Sequence, residues 1–408
     1  MPHGARILNF RSGTTMSVDA KPPVFDCDQH YYEPLDAFTR HCPKGWEERT
    51  VQIAQIGKRT RMLVGGRLDR TVTNPTFDPI VKPGAMTDYF RGNKAGRPLQ
   101  EYLAQREPLP DYYRDRDARL KKMDEQEIDR VWMLPSLGMG IEEGLQYDVE
   151  AAAVAFKAFN RFLLDDWGYN YQDRIYTAPY LAFGDVDAAV AEVEHGLANG
   201  ARIFVVRPQA VYTKDGWQSP GSEIFDPIWA RIHEAGVTLV PHVGEIGGAG
   251  LDKYVDHHGN IIGGVAPPLE VAVGHDRAIG NYLGALTCDR LFERFPDLHI
   301  ASVENGAEFL PLLLKGLNRA NYQRPGYFAS DPVEQFKTHV WVSPFWEDDL
   351  LEVVGYMGVD QVLFGSDYPH PEGLAEPRHY EKLAAELNDP AAERKIMWEN
   401  TAMLTGLS

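Results

Sequence analysis

Four places along the chain set an ionisable residue directly behind a short apolar run. Asp26-Cys27-Asp28-Gln29-His30 closes the first, and His242 ends Thr238-Leu239-Val240-Pro241-His242 before Val243-Gly244-Glu245. Glu304 ends Ile300-Ala301-Ser302-Val303-Glu304-Asn305-Gly306, and Asp367 ends Val362-Leu363-Phe364-Gly365-Ser366-Asp367, with Tyr368-Pro369-His370 turning the chain away. Carboxylates and neutral imidazoles are ligands for Zn, Mn or Fe. Side chains alternate along a strand, so Asp26, Asp28 and His30 are expected on one face and Phe25, Cys27 and Gln29 on the other. Such groups buried at a strand end need a partner for their charge, and a metal ion supplies one. A hydrogen-bonded Asp/His cluster is the bland alternative for any single motif, and a lone His at a strand end is more often structural than a ligand. The argument rests on all four converging.

Convergence requires elements that bring the four together. Short β-branched runs at 24–30, 130–134, 175–183, 201–207, 237–243, 298–303, 339–343 and 362–367 alternate with helical patterns, as in a parallel α/β fold. Helices are expected over 148–167, over 185–199 with Asp185 as N-cap and Gly200 beyond the end, and at 332–336, 348–355, 376–387 and 391–400. Eight such units make either a closed (β/α)8 barrel or an open doubly wound sheet. The first strand is not followed by G-x-G-x-x-G, so a single TIM barrel over 24–408 is expected, after an N-terminal arm at 1–23. Strand ends in a barrel meet at one mouth. Two long insertions, 44–115 after strand 1 and the glycine-rich 244–276 after strand 5, would leave from that mouth. The first contains an expected hairpin (50–56 with 60–64), and the second holds His257, His258 and His275, read as surface histidines.

Composition narrows the function classes. The 408 residues carry a formal charge of −18, which excludes a phosphate-backbone binder. Cys27, Cys42 and Cys288 form no C-x-x-C pair, and no apolar run approaches a membrane span. The N-terminus has no apolar secretory segment, so a cytoplasmic protein is expected, with neither nucleic acid nor membrane as a partner.

The order Asp-x-His after strand 1, His after strand 5 and Gly-Ser-Asp-Tyr-Pro-His after strand 8 resembles the amidohydrolase-related family of metal-dependent (β/α)8 enzymes. It is most similar to the branch with aminocarboxymuconate-semialdehyde decarboxylase and resorcylate-type decarboxylases. The resemblance implies Asp28, His30, His242 and Asp367 as metal ligands, with Asp28 where many members have His or Glu. Decarboxylases of this branch carry a catalytic His after strand 6, where this chain has Glu304. The lysine that bridges two metals in the classical hydrolases has no counterpart at Val205-Val206-Arg207-Pro208.

The expected activity is therefore hydrolysis, or non-oxidative decarboxylation, of a small carboxylated or aromatic metabolite at one Zn, Mn or Fe ion. Asp367 or Glu304 would act as the base and His370 as the proton shuttle. Arg207 could clamp a substrate carboxylate, and Tyr32 and Trp346 could wall the pocket. Asp26, Glu304 and His370 are spare groups that could serve a second ion or orient ligands. They support the alternative of a dinuclear non-haem Fe/Mn oxygenase, or its partner subunit, on the same barrel. A homo-oligomer is expected, with a hetero-oligomer as the alternative.

Overall fold

The computed structural model describes residues 21–69, 72, 74–244 and 275–407. The arm at 1–20 and most of 244–276, including His257 and His258, lie outside the described residues.

Parallel pairing runs in chain order from strand to strand. Phe25–Tyr31 pairs with Arg130–Pro135, which pairs with Ile175–Thr177. A bridge from Tyr180 to Val205 carries the order to Ile203–Val206. Thr238–Pro241, His299–Ser302 and Val340–Val342 then follow, each in register with its predecessor. Residues 362–368 join Val340–Val342 through the Val342–Val362 bridge and return to the first strand. There, Cys27 N donates to Phe364 O at 2.9 Å and His30 N to Tyr368 O at 2.8 Å. The succession thus comes back to where it began.

The strands are buried on both sides, as parallel strands covered by helices are. All seven residues of Phe25–Tyr31 and all four of Ile203–Val206 are buried. The helices begin where the sequence supplies caps. Asp148 accepts from Ala151 N to start Val149–Asp166, and Asp185 accepts from Ala188 N to start Val186–Ala198. Each such cap stabilises by about 1 kcal/mol. Phe156 of the first of these helices stacks on Tyr180 at 3.8 Å, locking helix to sheet.

Departures from the expected elements have local causes. The run at 175–183 is regular only over Ile175–Thr177, because Pro179 has no N–H for the ladder. The expected helix at 376–387 is a series of short turns ending at left-handed Asn388, and Asp389 caps a restart at Pro390. Residues 44–115 contain a hairpin, Val51–Ile56 against Arg59–Val64, whose two-residue turn opens with left-handed Gly57. A second antiparallel pair, Ile80–Val81 with Arg106–Glu107, lies in the same stretch.

The first strand has one irregularity that matters for the site. Asp26 pairs with Val131 and Gln29 with Met133, so three steps on this strand match two on its neighbour. Such a bulge breaks strict alternation. It separates Asp26 from Asp28 and His30, contrary to the expected shared face.

Candidate metal centre

The ends of strands 1, 5, 6 and 8 bring six ionisable side chains together. His30 Nε2 lies 3.1 Å from Asp28 Oδ1, 3.5 Å from Glu304 Oε2 and 3.4 Å from Asp367 Oδ1. His242 Nε2 lies 3.0 Å from Glu304 Oε2 and 3.5 Å from Asp28 Oδ1. His370 Nδ1 is 2.6 Å from Asp367 Oδ1, and its ring stacks on His30 at 4.0 Å. Two overlapping sets have ligand atoms close enough to hold a metal ion: Asp28, His30, His242 and Glu304, and His30, Glu304, Asp367 and His370.

Backbone geometry aims these groups. Glu304 and Asp367 both sit at positive φ, 55° and 56°, a conformation that costs a non-glycine residue about 1–2 kcal/mol. Asn305 holds the first turn by donating to Pro241 O and Val303 O at 2.9 and 2.8 Å. Ser366 holds the second: its N and Oγ donate to Asp26 at 2.9 and 2.6 Å, and its Oγ accepts from Tyr368 N. Gly365 is required because a Cβ there would lie 2.7 Å from Asp28 Cβ and 2.5 Å from Ser343 Oγ.

The electrostatics are unbalanced. Three carboxylates surround His30, and like charges this close cannot all ionise without a compensating cation. Burial, then the charge of Glu304, raises the Asp367 carboxyl well above its ordinary range. Burial works against the charge on His242, yet Glu304 and Asp28 push it up to about 10. Burial likewise opposes ionisation of Glu304, but His242 and His30 hold it below its ordinary value. Burial, then His30, pushes His370 well down. Protons thus do here the neutralising work that a divalent cation can do.

The hydrogen bonding has matching gaps. His242 Nε2 and Glu304 Oε2 are buried and face each other at 3.0 Å, but they are not aligned as a hydrogen bond and neither has another hydrogen-bond partner. Buried polar atoms are rarely left so. His242 Nδ1 lies 2.8 Å from Val243 O, which orients the ring with Nε2 toward the nest. The donor set of two carboxylates and two imidazoles, with orphaned atoms turned inward, fits a divalent metal.

The nest opens into a cavity of about 500 Å³, walled by Leu137, Met139, Val243, Phe345 and Trp346 with Glu347 and Glu372. Burial raises both of these glutamates to about 7. Trp346 Nε1 donates to Glu372 O at 3.0 Å, and Arg91 stands 4.5 Å over its ring.

The structure places four of the expected groups as follows. Glu304, expected as a base or a ligand to a second ion, falls in both sets, with Asp28, His30 and His242 in one and with His30, Asp367 and His370 in the other, so Asp367 groups with His370 rather than His242. Asp26 lies outside both sets, because the bulge turns it to Gln29 and Ser366. Burial raises it to about 7. Arg207 does not line the main cavity. Its side chain is 2% exposed and faces Glu143 and Glu142 beside a separate small pocket. Tyr32 lies behind His370, with ring centroids 5.8 Å apart, and packs on Phe77 and Tyr113 rather than on the cavity. Sequence reasoning missed Ser136, which lines the cavity and meets His370 Nε2 at 3.0 Å. Its one signal was a polar residue just past the second strand.

The sequence matches the amidohydrolase family over residues 26–407. A comparison with curated proteins gave no match. The crystal structure of an amidohydrolase from Mycobacterium avium subsp. paratuberculosis is similar at TM-score 0.90 and 40% identity, over 95% of this chain and 99% of that one. A dihydroxybenzoic acid decarboxylase from a Polaromonas species, solved with manganese and 2-nitroresorcinol, is similar at TM-score 0.62 and 16% identity, over 95% and 97% of the two chains. A 5-carboxyvanillate decarboxylase from Novosphingobium aromaticivorans, also solved with manganese, gives TM-score 0.59 and 16% identity over 95% and 97%. At 16% these two share the fold alone. The match across nearly the whole sequence, joined by a relative 40% identical over 95% of this chain, establishes that the chain belongs to the amidohydrolase family.

Proposed function

We propose that this amidohydrolase-family chain is a metal-dependent enzyme on a closed (β/α)8 barrel with insertions at 44–115 and 244–276. Asp28, His30, His242 and Glu304 hold a divalent cation at the mouth, and the enzyme hydrolyses, or non-oxidatively decarboxylates, a small aromatic or carboxylated metabolite. The pairing that returns to the first strand supports the barrel. The observation that carries the metal reading is the pair of buried atoms without a hydrogen bond, His242 Nε2 and Glu304 Oε2, within a nest of three carboxylates. Manganese in the two decarboxylases of similar fold favours Mn among the candidates.

Asp28, His30, His242 and Glu304 would hold the cation, which would supply Lewis-acid polarisation of a substrate carbonyl and a lowered pKa for water. The residues do the rest. Asp367 and His370 share a proton across 2.6 Å beside the nest and can pass it between water and leaving group. Phe345, Trp346, Leu137 and Met139 give the substrate an apolar seat and keep bulk water out. Glu304 stands where decarboxylases of this branch have an imidazole, and this favours hydrolysis over decarboxylation. Release of carbon dioxide from hydroxybenzoic acids, set against hydrolysis of amides and lactones by the Mn-loaded protein, tests the choice. Turnover of neither class would overturn it.

A second reading follows from the overlap of the two ligand sets, which share His30 and Glu304. Two ions side by side would suit oxygen chemistry at Fe or Mn. Two metals per chain and oxygen-dependent product select it.

A further inference from the structure

We infer that Ser136 is a positioning residue whose hydroxyl determines which nitrogen of His370 faces the nest. Ser136 follows Pro135, which pairs with Tyr31. Its Oγ lies 2.9 Å from the Tyr31 carbonyl oxygen and 3.0 Å from His370 Nε2. A carbonyl only accepts, so the single hydroxyl proton goes to Tyr31 and the oxygen lone pair accepts from His370 Nε2–H. The neutral ring then turns the lone pair of Nδ1 toward Asp367 Oδ1 at 2.6 Å, where a cation or a proton must stand between them.

His242 reaches the opposite arrangement by the same logic. Its Nδ1 donates directly to Val243 O at 2.8 Å, so in the neutral ring the Nε2 lone pair faces Glu304. Each imidazole is thus set by a backbone carbonyl, directly for His242 and through the Ser136 hydroxyl for His370. The seat of Ser136 is itself built. Buried Glu33 accepts from Leu137 N at 2.9 Å and Gly138 N at 3.0 Å, clamping the turn that follows the serine. A Cβ on Gly138 would come 2.9 Å from Pro135 Cβ, so this turn has no room to shift.

The functional consequence rests on the cation nest proposed above: Nδ1 of His370 is the nitrogen presented to the His30, Glu304 and Asp367 group. The test is nitrogen NMR of the full-length, metal-free protein labelled in its histidines, with the His370 signals assigned by their loss in His370→Gln. At neutral pH the wild type should show His370 protonated on Nε2 and bare on Nδ1. Ser136→Ala should lose that pattern, and Ser136→Thr, which keeps the hydroxyl, should restore it. In a Mn²⁺ titration, Ser136→Ala should bind about 10-fold more weakly and Ser136→Thr within about twofold of wild type. Protonation of His370 on Nδ1 or on both nitrogens in the wild type, or an unchanged pattern in Ser136→Ala, would overturn the inference. A wild type with the expected pattern that binds no Mn²⁺ would support the assignment while sinking the metal reading, so the two failures are distinguishable.

Discussion

Two regions of this molecule bury charge at the ends of neighbouring strands, and they handle it in opposite ways. Arg207, at the end of strand 4, is enclosed by Glu142 and Glu143, and Glu142 also accepts from the Tyr180 hydroxyl. At the ends of strands 1, 5, 6 and 8, three carboxylates crowd His30 while His242 Nε2 and Glu304 Oε2 have no hydrogen-bond partner. The first group sets its cation between carboxylates, with a hydroxyl donor already in place; the second keeps buried atoms that no hydrogen bond satisfies. Buried charge that satisfies itself holds a fold together, whereas buried charge left over marks a place where something binds.

Substitutions should separate the two regions. The largest effect is expected for His242→Ala. Removing a direct ligand should weaken Mn²⁺ binding by more than the roughly 100-fold that loss of an outer partner can cost, and abolish turnover. Calorimetric titration checks the first part, and full activity in this variant would erase the distinction. Arg207→Met should do the reverse. It strands two glutamates and should cost about 3 kcal/mol of stability in denaturant unfolding, with Mn²⁺ affinity unchanged. A raised KM at unchanged stability would instead restore Arg207 as a substrate clamp. Trp346→Leu should raise KM about 10-fold, or about 1.4 kcal/mol, and leave kcat near wild type, because the ring walls the cavity and belongs to neither ligand set.

The smallest effect has an informative sign. Burial, then Glu304, raises the Asp367 carboxyl on folding, and a carboxyl raised in the folded state costs stability at every pH above its unfolded value. Asp367→Asn should therefore raise the melting temperature of the metal-free protein at neutral pH by about 2 °C, while weakening catalysis. A lowered melting temperature would mean that Asp367 belongs with the self-satisfied group.

Much of the scaffold was legible because it is local. The β-branched runs at 130–134 and 201–207 and the Asp148 and Asp185 caps announce themselves within a few residues. So did the polar strand ends that converge on the nest. What remained hidden depends on registers between strands. The bulge that removes Asp26 is visible only against Val131 and Met133, and the fate of Arg207 depends on Glu142 and Glu143, more than sixty residues away. Ser136 lacked meaning until folding set it between Tyr31 and a histidine 234 positions further on.

The central claim is that the nest takes a divalent cation, and elemental analysis tests it most directly. Protein purified without added metal, and again after incubation with Mn²⁺ and gel filtration, should carry at least one divalent ion per chain. A chelator should remove that ion and lower the melting temperature. Protein that retains no metal after either treatment, with a melting temperature indifferent to chelator, would contradict the account.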